Sequence, residues 1–168
     1  MRATNLTIQL QFNEHGQRFR VLSDTGLILG QSRSHFWSSL WNGFLGWLIT
    51  TPTHYELTID GQTLLIESKR RFMGARYRLS INQQPVAVVA TRTVSYRSTD
   101  QINVRHENLQ LTTGLGRAQY VLRNGAKTVL IIRQQADNAD HYMLEIGDGF
   151  GALTGIGVAI GILVGHGK

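Results

Sequence analysis

An aromatic residue leading into alternating polar and apolar positions recurs along this chain. The copies begin at Phe19-Arg20-Val21, Tyr55-Glu56-Leu57-Thr58-Ile59, Tyr77-Arg78-Leu79-Ser80-Ile81, Tyr120-Val121-Leu122 and Tyr142-Met143-Leu144-Glu145-Ile146. Period-two alternation sends successive side chains to opposite faces, so each run predicts a half-buried β-strand. A turn and a second apolar run follow the first four copies, which predicts hairpins; the fifth runs into the C-terminal segment.

Residues directly opposite across a hairpin share a face, so the turns predict registers. A two-residue Asp60-Gly61 turn, suited to type I′ geometry, sets Leu57 opposite Leu64 and Tyr55 opposite Ile66. A four-residue loop from Asn82 to Pro85 sets Ile81 opposite Val86, Leu79 opposite Val88 and Tyr77 opposite Ala90. Asp24-Thr25-Gly26 sets Val21 opposite Leu29, and Asn124-Gly125 sets Tyr120 opposite Val129. Glu56, Thr58, Glu67, Arg78, Ser80 and Thr91 then fall on a wet outer face. With the run Leu6, Ile8, Leu10, Phe12 and the pair around Ile102-Val104 and Leu109-Leu111, about twelve one-sided strands result. Closure into an antiparallel barrel removes their exposed edges.

Two segments break the alternation. Phe150 to Gly165 carries no charge and is apolar all round, which places a helix inside a core or a membrane. Its length falls short of the roughly 20 residues that a bilayer requires. As a helix, Phe150 to Val164 would span about 22 Å, close to strands of six to eight residues at roughly 20 to 26 Å. The expectation is a core helix at 150–165 filling the barrel, with Leu153, Ile156, Val158, Ile160 and Leu163 buried. Its glycines at 151, 155, 157, 161 and 165 would allow close approach of the walls, and they also meet the four-residue spacing of membrane helix pairs. The second segment, 34–51, contains Trp37, Trp41 and Trp47. On a helical wheel Phe36, Trp37, Leu40, Trp41, Phe44, Leu45, Trp47 and Leu48 fill one half, while serines, Asn42 and glycines fill the other. Such a face suits a lid on the barrel, an oligomer contact or an interfacial membrane helix, although the last usually carries Lys or Arg on its polar side.

The chain of 168 residues is thus read as one mainly β domain, 1–168, with an aromatic amphipathic insertion and a core helix. The repeated hairpins Tyr55 to Arg71 and Tyr77 to Thr93, and the strand and helix from Tyr142 to Val164, resemble the tubby-like superfamily. Within it they resemble the LURP-one-related branch, which is similar in build to phospholipid scramblases. The resemblance implies a closed barrel of about twelve antiparallel strands around a hydrophobic C-terminal helix. For function it implies association with phosphoinositides and membranes, as in the best-known members, but no lipid-ligand or calcium-ligand motif of the family matches here residue by residue.

Composition narrows the chemistry. The absence of cysteine removes disulfides, thiolate metal sites and cysteine nucleophiles. Serine nucleophile elbows, phosphate loops and dinucleotide fingerprints are missing, and the six histidines form no metal-binding pair. Asp137, Asp140, Glu145 and Asp148 lack the spacing of a calcium loop and read as turn chemistry. No catalytic residue, metal or cofactor is assigned, and the expectation is a protein that binds without catalysing. The net charge is +6, and arginine supplies 14 of 17 basic residues, which suits planar recognition of phosphate or carboxylate. The densest basic run is Lys69-Arg70-Arg71, with Arg76 and Arg78 close behind. These five are the candidates for an anionic lipid or a phosphorylated partner, and solvated charges that guard a strand edge are the alternative. Phe36, Trp37, Trp41 and Phe44 are the candidate interface of a homo-oligomer. The bases are spread over many hairpins beside no placed aromatic platform, so no specific nucleic acid is expected. The N-terminus has no apolar signal core, which reads as a cytoplasmic protein, peripheral at the membrane if the lipid reading holds.

Overall fold

The computed structural model describes residues 6–12, 19–34, 53–71, 74–94, 97–114 and 119–166. These form, in chain order, β1 (Leu6–Phe12), β2 (Phe19–Ser23), β3 (Ile28–Gln31), β4 (Arg33–Ser34), β5 (Thr53–Ile59), β6 (Gln62–Arg71), β7 (Gly74–Ile81), β8 (Gln84–Val94), β9 (Arg97–Val104), β10 (Glu107–Thr113), β11 (Gln119–Asn124), β12 (Lys127–Gln135), β13 (Asn138–Ile146) and α1 (Ala152–Gly165). All pairings are antiparallel, and from β5 to β13 each strand pairs with the next in sequence. β1 pairs with both β2 and β13, which brings the first and last strands together.

β3 and β4 are two arms of one broken strand, so thirteen segments make a nearly closed barrel of twelve staves. β3 pairs with β2, and β4 pairs with β5. Ser32 sits at the break, buried, and accepts the Phe19 N–H on Oγ at 2.9 Å while its own N–H donates to the Phe19 carbonyl. Beside it β3 lies against β5 without ladder pairing. Gly30 makes that approach possible: a β-carbon there would stand 2.8 Å from Leu57 Cδ1 and 3.0 Å from the Thr58 carbonyl oxygen.

The registers divide by turn. Across Asp60-Gly61, Leu57 faces Leu64 and Tyr55 faces Ile66, as the type I′ pair predicts. Elsewhere bulges shift the ladder. The β7–β8 turn is Asn82-Gln83, and a bulge after Leu79 sets Leu79 opposite Ala87 and Tyr77 opposite Val89, replacing the expected Val88 and Ala90. Val21 faces Gly30 rather than Leu29 across a bulged hairpin, and Tyr120 faces Ile132 rather than Val129 because the turn is Gly125-Ala126, with Asn124 opposite Lys127, and a bulge follows at Leu122. The β8 slip turns Thr91 inward, where it is buried, not out onto the wet face.

α1 runs through the barrel and is buried from Leu153 to Val164, so the interior is packed with helix and inward strand residues such as Leu10, Leu64, Leu79 and Leu144. No helix among the described residues is long and apolar enough to cross a membrane. Chain reversal from β13 into α1 uses Gly151 at φ 81°, a left-handed conformation open to glycine at little cost. The helix starts two residues later than the expected 150 and ends at 165. Its glycines serve helix-to-wall contact: a β-carbon on Gly157 would meet Leu79 Cδ2 at 2.2 Å, and one on Gly161 would meet Val89 at 3.2 Å. α1 therefore presses against β7 and β8, and through Leu64 against β6. The aromatic residues that open the repeats line the interior, with Phe12 stacked edge-on against Tyr142 and Phe19 tilted against Tyr55.

Candidate anion-binding face

The tight turns Asp60-Gly61, Asn82-Gln83 and Arg105-His106 gather at one end of the barrel, with the start of α1. The opposite end carries the last turn of α1, Ser34, Thr53, Arg71 and Gly74. The basic run lies near this second end because β6 is ten residues long and reaches past the paired part of β5.

Alternation along β6 and β7 separates core from charge. Leu64, Ile66 and Ser68 point inward on β6, and Tyr77 and Leu79 on β7, all buried. Lys69, Arg76 and Arg78 stand exposed on the outer side. Lys69 faces Arg76 directly in register, so two cations occupy paired positions about 5 Å apart at their β-carbons. Arg78 faces Glu67, whose Oε1 lies 3.9 Å from His54 Nδ1. Among the described residues no carboxylate pairs with Lys69, Arg76 or Arg78. Arg71 faces Gly74 and Arg70 faces Ala75 in register, and the side chains of both arginines lie outside the described residues.

Three of the five sequence-level candidates thus share one outer surface. Arg92 faces Gly74 from β8, in the register row that begins with Arg71, a backbone placement that only the β7–β8 pairing reveals; its side chain lies outside the described residues. The aromatic segment is known here by its attachment points. Phe36, Trp37, Trp41 and Phe44 lie outside the described residues, as does all of 34–51 except Ser34. Ser34 pairs with Tyr55, and Thr53 pairs with Ser68, the residue before Lys69. The chain therefore leaves for this segment from β4, one strand removed from β6, and returns from it at Thr53, beside the basic strand.

A different cluster occupies the interior of the same end. His166 Nε2 and Asp100 Oδ2 lie 3.0 Å apart, with side chains 6% and 11% exposed, and the Tyr120 ring packs at 5.4 Å from the imidazole. Sequence separation hid this pair, since the two lie 66 positions apart. Carboxylate and imidazole within hydrogen-bond reach are the parts of a general base. Here they are enclosed between strand and helix end and not displayed in an open cleft. No group of three or more His, Asp or Glu able to hold a metal occurs among the described residues. No family model, curated protein or solved structure matches the chain.

Proposed function

We propose that this protein is a non-enzymatic binding module that docks on anionic phospholipid surfaces through the β6–β7 face, with Lys69, Arg76 and Arg78 as its centre. The observation that carries the reading is the register pairing of Lys69 with Arg76. Like charges directly opposite across a sheet are destabilising, and among the described residues no carboxylate relieves this pair. An external anion removes that repulsion. The face is part of the outer wall of the barrel, backed by packed core, which suits headgroups met side by side more than one ligand held in a pocket.

Each basic residue near an anionic leaflet contributes about 1 kcal/mol. Three would supply about 3 kcal/mol, near a hundredfold in affinity. The attachment points of the Trp-rich segment support the same reading, because the chain returns from it at Thr53, which pairs with Ser68 next to Lys69. The resemblance of the repeated hairpins to tubby-like and scramblase-like barrels supports the same reading, with the cytoplasmic surface of a membrane as the expected location.

Flotation with phosphatidylserine-containing and neutral phosphatidylcholine vesicles tests the reading. The protein should float with the anionic vesicles at low salt, lose binding as salt rises, and lose about tenfold or more in K69Q/R76Q. Equal recovery with both vesicle types overturns it. Binding to phosphopeptides without flotation would assign the face to a phosphorylated partner. A concentration-dependent mass by light scattering that Trp41→Asp abolishes, without flotation, would make the aromatic segment an oligomer contact.

A further inference from the structure

The inward faces of the barrel are hydrocarbon along most of their length and turn polar at the His166 end. Thr91 on β8 and Asp100 on β9 are direct register partners there, which sets their β-carbons about 5 Å apart on one inner surface. His166 takes one carboxylate oxygen, Oδ2. The other, Asp100 Oδ1, and Thr91 Oγ1 are both buried and have no hydrogen-bond partner. Native interiors satisfy nearly all such atoms, and a buried carboxylate oxygen is among the costliest to leave alone.

The end of α1 lies against the same residues. A β-carbon on Gly165 would stand 2.7 Å from Thr91 Oγ1, so only glycine lets the helix backbone come this close. The C-terminus of a helix carries partial negative charge, and the last turn of α1 contains no basic residue. A carboxylate oxygen and a hydroxyl oxygen on register partners, both without a hydrogen-bond partner, thus lie beside the end of α1, whose last carbonyls accept the His166 N–H.

We propose that this place binds a monovalent metal cation, sodium or potassium, with Asp100 Oδ1 and Thr91 Oγ1 as side-chain ligands. Hard oxygen donors select a hard cation. A single carboxylate balances a single positive charge, whereas calcium sites recruit several carboxylate and carbonyl oxygens. His166 holds the carboxylate in orientation through Oδ2 and leaves Oδ1 to the ion. The cation would fasten the end of α1 to β8 and β9 from within. The inference is independent of the lipid reading, because these atoms lie on the inner surface of the wall.

Thermal unfolding in sodium, potassium and choline chloride at matched ionic strength tests it. Sodium or potassium should raise the midpoint above that in choline, with saturation, as expected when a ligand binds the folded state alone. Thr91→Val keeps the shape without the oxygen and should abolish the cation-specific shift, as should Asp100→Asn. Line broadening in sodium NMR, reversed by potassium, reads binding to the wild-type chain directly, so a variant that fails to fold leaves the test standing. Equal midpoints in all three salts without line broadening overturn the proposal, and so does an undiminished shift in Thr91→Val.

Discussion

Gly157 shows how a single hydrogen decides packing in this core. A methyl group there would meet Leu79 at 2.2 Å and both Leu64 methyls at 3.2 Å, and the two leucines are themselves fully buried. Alanine gains about 1 kcal/mol in helix propensity, but forcing methylenes into a packed interior costs about 1 to 3 kcal/mol. Gly157→Ala should therefore lower the urea midpoint, and Gly157→Val should lower it further. Lys69 makes the opposite case on the outer wall. Lys69→Glu turns a repulsive pair with Arg76 into an attractive one and should raise stability by up to about 1 kcal/mol in the same titration. Flotation with anionic vesicles should fall in that variant. A charge kept only for solubility or edge protection would show no such opposition between stability and binding.

The broken strand formed by β3 and β4 depends on Ser32 in a similar way. Ser32→Ala leaves the Phe19 N–H without its side-chain acceptor in a buried place, at a cost of about 1 to 3 kcal/mol. Hydrogen exchange should then quicken first at Phe19 and along β2, before the rest of the barrel responds. Strands of this kind were legible because an alternating face is a strong local signal, and the Asp60-Gly61 hairpin was legible to the residue because its turn admits one register. Bulges at Leu79, Val21 and Leu122, joined at the β7–β8 and β11–β12 hairpins by turns centred on other residues than expected, defeated the same reasoning, since one extra residue leaves the hydrophobic pattern nearly intact while sliding every later pair. Thr91 is the consequence that matters, read as an outer residue and found inside. The basic face was legible because Lys69, Arg76 and Arg78 fall on one hairpin. Asp100 and His166 were not, because nothing in either local stretch names its partner; the meeting is set by where the end of α1 arrives in the closed barrel.

In the whole molecule, α1 is a structural member of every stave it touches. Removing residues 150–168 would leave inward leucines and tyrosines facing a void, where even one truncated leucine costs about 2 to 5 kcal/mol. The shortened chain should lose its cooperative thermal transition by calorimetry; a monomeric, cooperatively melting product would make the segment an attachment rather than a core. The pairing of β1 with β13 also has a temporal meaning. A ribosome makes about 5 to 20 residues per second, so β1 waits roughly 6 to 26 s for β13, and the hairpins made in between have no filling to close upon. Nascent chains arrested before α1 emerges should remain protease-sensitive, while those arrested after it has cleared the exit tunnel should resist. Until then the growing chain is a ribbon of amphipathic hairpins, and chaperones that cover apolar sheet faces have their longest opportunity to act on it.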